Sequence, residues 1–249
     1  MILPTVPFGP TCVSRLIIGG NPFSGNSHAS PALSEEMADY FTADQIVRTL
    51  LRCQELGMTA MQMRADRHIL RVIREYRNRG GMMGFIAQTA SEMADLPGNV
   101  RRIASAGAIG AYHHGSRTDS LWLEGRIDEV LPLLKAMRDA GLQVGLGTHI
   151  PEVIDYVEEA GWDIDFYMAC FYNLNRKPRM GAISGGSPAP EPERFLDEDR
   201  EGMARRILAT DKTVLGFKFL AAGRKCAAPE TTREAFRWAF EHIKPKDAL

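Results

Sequence analysis

The stretch DAGLQVGLGTHIPEVIDYVEEAGWDIDFYMAC, residues 139–170, decides the fold class. Gly141 ends a helix, because glycine takes the left-handed backbone at which helical hydrogen bonding stops. The apolar run that follows it then enters a strand. Pro151 suits a first helical turn, and Val153, Ile154 and Val157 fall on one buried helical side. Gly161 ends that helix and a second apolar run leads to Cys170. Strands covered on both faces carry such continuous apolar runs, which points to a parallel sheet with helices packed against it.

The same helix–glycine–strand unit recurs outward from this stretch. It appears as ELGMTAMQM around Gly57 and as SAGAIGAYHH around Gly107. Three further runs read as strands: LIIGGNPF at 16–23, MMGFIAQTA at 82–90 and TVLGFKFLA at 213–221. That makes seven candidate parallel strands. Between them, Thr42 and Gln45 have capping-box spacing ahead of Ile46, Val47, Leu50, Leu51 and Leu56. A second helical stripe runs through Ile127, Val130, Leu131, Leu134 and Met137. Strict alternation over the whole length predicts one α/β domain, residues 1–249, folded as a (β/α)8 TIM-type barrel. No G-x-G-x-x-G turn supports a dinucleotide-binding, doubly wound sheet instead. Two places depart from a regular barrel. Residues 175–199 form a long Gly/Pro-rich connection, read as a lid or binding loop. After the helix around Arg233–Ile243 only KPKDAL remains, so the eighth strand is missing or truncated, and closure by a partner chain, a homo-oligomer, is one expectation.

Composition excludes several classes. Lysine plus arginine number 30 against 31 acids, so the chain lacks the basic excess of a nucleic-acid binder. Arg71, Arg74, Arg77 and Arg79 read as the solvated face of one helix. No run approaches the ~18 apolar residues of a membrane span. Residues 1–10 have neither the basic nor the apolar region of a signal peptide, so a cytoplasmic location is expected. Cys12, Cys53, Cys170 and Cys226 form no C-x-x-C pair and read as reduced thiols.

Three segments resemble the aldo/keto reductases: TVPFGPTCVSRLIIGGNPFSG at 5–25, HIPEVIDYVEEAGWDIDFYMACFYNL at 149–174 and FKFLAAGR at 217–224. The resemblance implies an N-terminal hairpin before the barrel, a catalytic Asp–Tyr–Lys–His tetrad and NADPH as cofactor. In AYHHG, His114 matches the family's histidine. The Asp position holds Gln62, Arg67 or His68 falls at the Tyr, and the Lys position holds Gln88. The cofactor positions hold Thr148, His149 and Ala169. The resemblance therefore implies a divergent member with its tetrad largely replaced. Without the Tyr–Lys pair, carbonyl protonation cannot follow the family's route.

Barrel enzymes place their sites at the C-terminal strand ends. Here those positions hold Asn21; Gln62, Arg64 and Asp66; Gln88; His113 and His114; Thr148 and His149; Tyr172 and Asn173; and Lys218. A polar ring of this kind reads as a pocket for a small molecule, because unpaired buried polar groups are costly. His114 is the expected hydrogen-bond donor to a substrate oxygen. His149, near a helix N-terminus, is the expected neutral acid/base. Lys218 interrupts an apolar run and has three readings: contact to an anionic ligand, a Schiff base, or a pair with an acid such as Asp66. Arg64 is a second anion contact or a partner of Asp66. A weaker expectation is a divalent metal on His28, His114, His149 and Asp66. The leading functional expectation is acid/base chemistry on a small polar carbonyl or sugar-like substrate by His114, His149 and Lys218. An NADPH-dependent oxidoreductase and a non-catalytic ligand-binding or assembly protein are the alternatives.

Overall fold

The computed structural model describes residues 3–176 and 193–249. Of the long connection expected at 175–199, residues 177–192 lie outside the described residues. The chain opens with an antiparallel hairpin, β1 (Thr5–Phe8) and β2 (Thr11–Ser14). Seven parallel strands follow in sequential order: β3 (Ile18–Gly19), β4 (Ala60–Arg64), β5 (Gly84–Gln88), β6 (Ala108–His113), β7 (Gln143–Thr148), β8 (Phe166–Cys170) and β9 (Thr213–Phe217). The helices are α1 (Pro31–Tyr40), α2 (Ala43–Glu55), α3 (Arg67–Asn78), α4 (Leu96–Ser105), α5 (Gly115–Leu123), α6 (Leu131–Asp139), α7 (Pro151–Glu159), α8 (Asp197–Ala209) and α9 (Pro229–Glu241). This is the expected TIM-type α/β fold. Among the described residues, no helix is long and apolar enough to cross a membrane.

Alternation along each strand sorts side chains into two cores. Residues such as Met61, Phe85, Val144, Leu146 and Tyr167 point outward and pack under the helices. Ala60, Ile86, Tyr112, Phe166, Met168 and Leu215 point inward, where Val6, Phe8 and Val13 of the hairpin join them. The hairpin thus plugs the N-terminal end of the barrel, and Phe8 meets Phe166 edge-on at 4.9 Å between ring centroids. Gly145 makes room for this plug, since a Cβ there would lie 2.4 Å from the Phe166 ring.

The ring closes through a two-residue stub in place of an eighth strand. Ala248 N donates to Val214 O at 3.1 Å, and its carbonyl accepts from Gly216 N at 2.9 Å. On the other side Leu249 N donates to Arg15 O at 2.9 Å, and its carbonyl accepts from Ile17 N at 2.7 Å. Asp247, fully buried, accepts from Val214 N at 2.9 Å and from Lys244 N at 2.9 Å.

Local expectations need three corrections. The strand expected over 213–221 ends at Phe217, because Lys218 turns into the left-handed region at φ 62°. The capping box at Thr42 has only one arm: Thr42 Oγ1 accepts from Gln45 N, while the Gln45 amide donates to Tyr40 Oη. The run at 16–23 supplies only the two-residue β3 and then a 3-10 turn, Pro22–Ser24. Helix α1, capped by Ser30, buries no side chain and so offered no apolar stripe to read.

Candidate functional site

A cavity of about 640 Å³ opens at the C-terminal ends of the strands. Asn21, Gln62, Arg64, Gln88, His114, His149 and Lys218 all line it, and His28 joins them from the loop before α1. Five expected residues do not line it, Thr148 among them, whose Oγ1 donates to Asp119 at 2.6 Å. Asp66 caps α3, accepting from Ile69 N at 2.8 Å. His113 points outward and bonds Thr118 Oγ1 at 2.8 Å. Tyr172 is buried against Phe195 at 5.2 Å. Asn173 turns its Oδ1 to Asn175 N at 3.2 Å. His113 and Thr148 face away because they fall in the outward phase of β6 and β7, and Asp66, Tyr172 and Asn173 because they lie beyond the strands, where residues serve caps and turns.

The floor is a polar relay between strands. Gln62 Nε2 donates to Tyr112 Oη at 2.7 Å, and that hydroxyl donates to Gln88 Oε1 at 2.9 Å. Burial pushes the Tyr112 phenol well above its ordinary range, so it stays a neutral donor. Arg64 pairs with Glu92 rather than with Asp66.

The three histidines have different electrostatics. His114 bonds Ser91 Oγ at 3.1 Å through Nδ1. Burial, then the neighbouring His113, His149, Arg64 and Lys218, push it down to about 3, so it is neutral. His28 is lowered by burial and by Lys218, against its 2.9 Å bond to Glu193. His149 goes the other way. Burial opposes its charge, but Cys170 and the carboxylate of Asp119 outweigh it and raise it to about 9. The expectation of a neutral His149 is therefore corrected: Cys170 and the Asp119 carboxylate beside it together outweigh its burial.

Asp119, on α5, is the residue that organises the site. It is fully buried and takes His149 Nδ1 at 2.7 Å, Thr148 Oγ1 at 2.6 Å and Asn175 Nδ2 at 2.5 Å. The His149 backbone N–H adds a contact at 3.2 Å. Glycines permit this approach: a Cβ on Gly147 would lie 2.9 Å from Gly115 N and 2.9 Å from His113 O. With Nδ1 committed to Asp119, His149 Nε2 is left buried with no hydrogen-bond partner among the described residues.

Three cations line the cavity without an ion-pair partner among the described residues: Lys218, Arg117 and Arg224, the last of which donates to His28 O at 3.2 Å. Lys218 Nζ sits 5.7 Å over the Phe217 ring. The Schiff-base and acid-pair readings of Lys218 diverge here, because Asp66 is elsewhere, capping α3. The metal expectation meets the same obstacle. Asp66 caps a helix, His149 binds Asp119 and His28 binds Glu193, and no three metal-ligating side chains converge among the described residues. Sequence reading missed Asp119, Tyr112 and Arg117. For Tyr112 the signal was present: it falls in the inward phase of its strand.

No family model matches the chain, and no curated protein matches it in sequence. Solved structures do. A truncated 3-deoxy-D-arabino-heptulosonate 7-phosphate synthase from Thermotoga maritima superposes with a TM-score of 0.52 at 14% identity, over 95% of this chain and 77% of that one. A phospho-2-dehydro-3-deoxyheptonate aldolase from the same organism gives 0.50 at 14% identity, over 95% of this chain and 61% of that one. An N-acetylmannosamine-6-phosphate 2-epimerase from Clostridium perfringens gives 0.48 at 13% identity, over 84% and 79%. The synthase and the aldolase are not aldo/keto reductases, so the resemblance to that family is overturned. Its short matching fragments are glycine-ended helices and apolar strands, which any barrel repeats. At such identities the likeness shows the fold, and the chain is a TIM-type barrel.

Proposed function

We propose that this barrel is an enzyme acting by proton transfer on a small, polar, anionic substrate, with His149 as the proton donor. One observation carries the reading: His149 is held by Asp119 at 2.7 Å through Nδ1 while Nε2 has no hydrogen-bond partner among the described residues. A carboxylate behind an imidazole fixes its tautomer and favours the charged form, which suits a general acid. His114, kept neutral by burial, is the hydrogen-bonding partner of a substrate oxygen. Lys218 and Arg117 supply charge for a phosphate or carboxylate group. The name of the first barrel neighbour carries a sugar phosphate, a class that such a cavity would accept.

The test is a thermal-shift titration with small phosphorylated and carboxylated carbonyl compounds, followed by deuterium exchange from solvent into any compound that binds. A ligand at 100 times its Kd adds roughly 2.7 kcal/mol. Binding that is lost in Lys218→Ala, with exchange lost in His149→Gln, is the expected outcome. Binding without exchange in the wild type would make the chain a ligand-binding protein, and no binding at all would overturn the anionic substrate.

A further inference from the structure

A second histidine–carboxylate pair faces the same cavity. His28, in the loop between β3 and α1, sets its Nδ1 2.9 Å from Glu193 Oε2, in the segment ahead of α8. A neutral imidazole turns its protonated nitrogen to a carboxylate, so His28 Nε2 keeps the lone pair. That nitrogen has no hydrogen-bond partner among the described residues, and the His28 side chain is 25% exposed on the cavity wall. The loop is fixed on both sides of it. Ser27 Oγ accepts from Ala29 N and Ser30 N, each at 3.2 Å, and Arg224 Nη1 donates to His28 O at 3.2 Å. His28 itself stands at φ 55°, in the left-handed region that residues with a Cβ seldom occupy. Backbone outliers of this kind cluster at active sites.

We infer that His28 is the general base that works against His149 as the acid, with Glu193 as its positioning residue, and that the reaction is enolisation of a carbonyl compound. The inference rests on the proposed function, which makes His149 the proton donor. Both histidines line one cavity of about 640 Å³ with Nδ1 held by a carboxylate, and the charge of His149 reaches His28. Their surroundings push the two apart. Burial and then Lys218 lower His28, so at pH 7 it is neutral and can take a proton. His149 is raised to about 9 and holds a proton to give. Two titratable groups driven in opposite directions within one site assign the base and the acid. In the step, His28 Nε2 takes a proton from the carbon next to the carbonyl, and the C–H pair becomes the C=C bond. The C=O π pair moves to oxygen, which takes the proton from His149 Nε2. The products are an enol, a His28 imidazolium and a neutral His149, and nothing else is consumed. An anion on Lys218 offsets the charge that lowers His28, so binding of an anionic substrate strengthens the base.

The experiment follows dihydroxyacetone phosphate with the full chain in D2O, reading loss of its carbon-bound protons by NMR and its binding by thermal shift. His28→Asn removes the base but keeps a residue at ease with positive φ and a donor for Glu193. It is expected to bind the compound like the wild type and to exchange at least about 100-fold more slowly, the low end for a general base. The wild-type rate should rise with pH as His28 loses its proton and fall as His149 loses its own near 9. The groups facing His28 are Glu193 ahead of α8, Lys218 and Arg224 after β9, and His149 at the end of β7. Those facing His149 are Asp119 on α5, Cys170 at the end of β8 and His114 at the end of β6. Glu193 raises His28, so Glu193→Gln should move the acid limb to lower pH, whereas a merely structural Glu193 would lower the rate without moving it. Undiminished exchange in His28→Asn, or an unmoved acid limb in Glu193→Gln, would overturn the inference and leave His149 as the donor. If His28→Asn fails to bind, the acid limb of Glu193→Gln decides. Binding without exchange in the wild type would overturn both readings. If the wild type does not bind the compound, carbethoxylation by diethyl pyrocarbonate decides, with peptide mass spectrometry as the readout. There the His28 Nε2 lone pair attacks a carbonyl carbon, the N–C bond forms and the C–O bond breaks, and ethyl carbonate leaves, takes a proton and departs as ethanol and carbon dioxide. An imidazole of pKa about 6.5 gains roughly fourfold in rate from pH 6 to 7.5. A smaller gain at His28 than at N-acetylhistidine would sustain the base and overturn only the substrate. A His28 that matches N-acetylhistidine, or stays unlabelled, would overturn the inference.

Discussion

Asp119 Oδ2 lies 2.7 Å from His149 Nδ1, and both residues are buried between α5 and the end of β7. A histidine raised to about 9 in the fold and near 6.5 unfolded binds its proton more tightly when folded. Its contribution to stability is fully present below pH 6.5 and is lost as pH rises through about 9. His113 and His114 have the opposite sign. Burial lowers them to about 4 and about 3, so their contribution holds above pH 6.5 and is lost as pH falls through those values. The expected stability curve is a dome centred near neutral pH. Melting temperatures from pH 3 to 10 would trace it, and His149→Gln should flatten only the alkaline limb. An alkaline limb unchanged by that substitution would show that Asp119 does not hold an imidazolium.

The approach of α5 to β7 depends on two glycines. A Cβ at Gly147 would stand 2.9 Å from two backbone atoms, Gly115 N and His113 O, neither of which is free to move like a side-chain tip. Gly147→Ala is therefore expected to cost about 1–3 kcal/mol, by overpacking against main chain. Gly19→Ala is the control: open space surrounds its Cβ position, and the change should stay within about 0.5 kcal/mol. Urea unfolding of both variants checks the pair. Equal effects at the two positions would mean that β7 and α5 separate without cost.

Much of the barrel was legible because each unit announces itself. Gly57, Gly107, Gly141 and Gly161 all adopt positive φ, as helix-ending glycines before apolar runs should. The ring of strand-end residues was legible for the same reason, and His114, His149 and Lys218 do share one cavity. What stayed hidden arises from distance in the chain. Asp119 lies on the outer helix α5, 30 residues before His149, and no local pattern connects an acid in GSRTDSLWL to a strand end. The closing stub was hidden because two residues, Ala248 and Leu249, carry no periodicity. Family likeness misled for a physical reason: helix–glycine–strand fragments are what any parallel barrel needs, so their order argues for the architecture and not for one family's chemistry.

The stub makes its own prediction. Removing Ala248 and Leu249 deletes four backbone hydrogen bonds, two to the β9 side at Val214 and Gly216 and two to the chain entering β3 at Arg15 and Ile17. The two sheet edges would then present unpaired groups. Hydrogen exchange should lose protection at Gly216 and Ile17 first, while Val214 keeps its bond to Asp247 at 2.9 Å. Adding Asp247→Ala should expose Val214 as well, at a cost of about 1–3 kcal/mol for the orphaned buried amide. Protection at Gly216 that survives the deletion would show that the ring does not need the stub.

Lys218 combines a strained backbone with a useful side chain. Its φ of 62° is unfavourable for any residue with a Cβ, and it places the ammonium at the cavity beside His28 and His114. Lys218→Ala keeps the Cβ and loses the charge; Lys218→Gly loses both. The glycine variant is thus expected to be more stable than the alanine variant by about 1 kcal/mol, the cost of a left-handed L-residue. Both variants should lose affinity for phosphate or carboxylate ligands equally, since the cation is absent from each. Denaturant unfolding and calorimetric titration with inorganic phosphate separate the two effects. Equal stability of the variants would mean that the backbone at 218 is unstrained. Undiminished phosphate binding would mean that Arg117 and Arg224, the other cavity cations without an ion pair among the described residues, hold the anion without Lys218. Stability gained and affinity lost together would mark position 218 as one where backbone strain is retained for the side chain it presents.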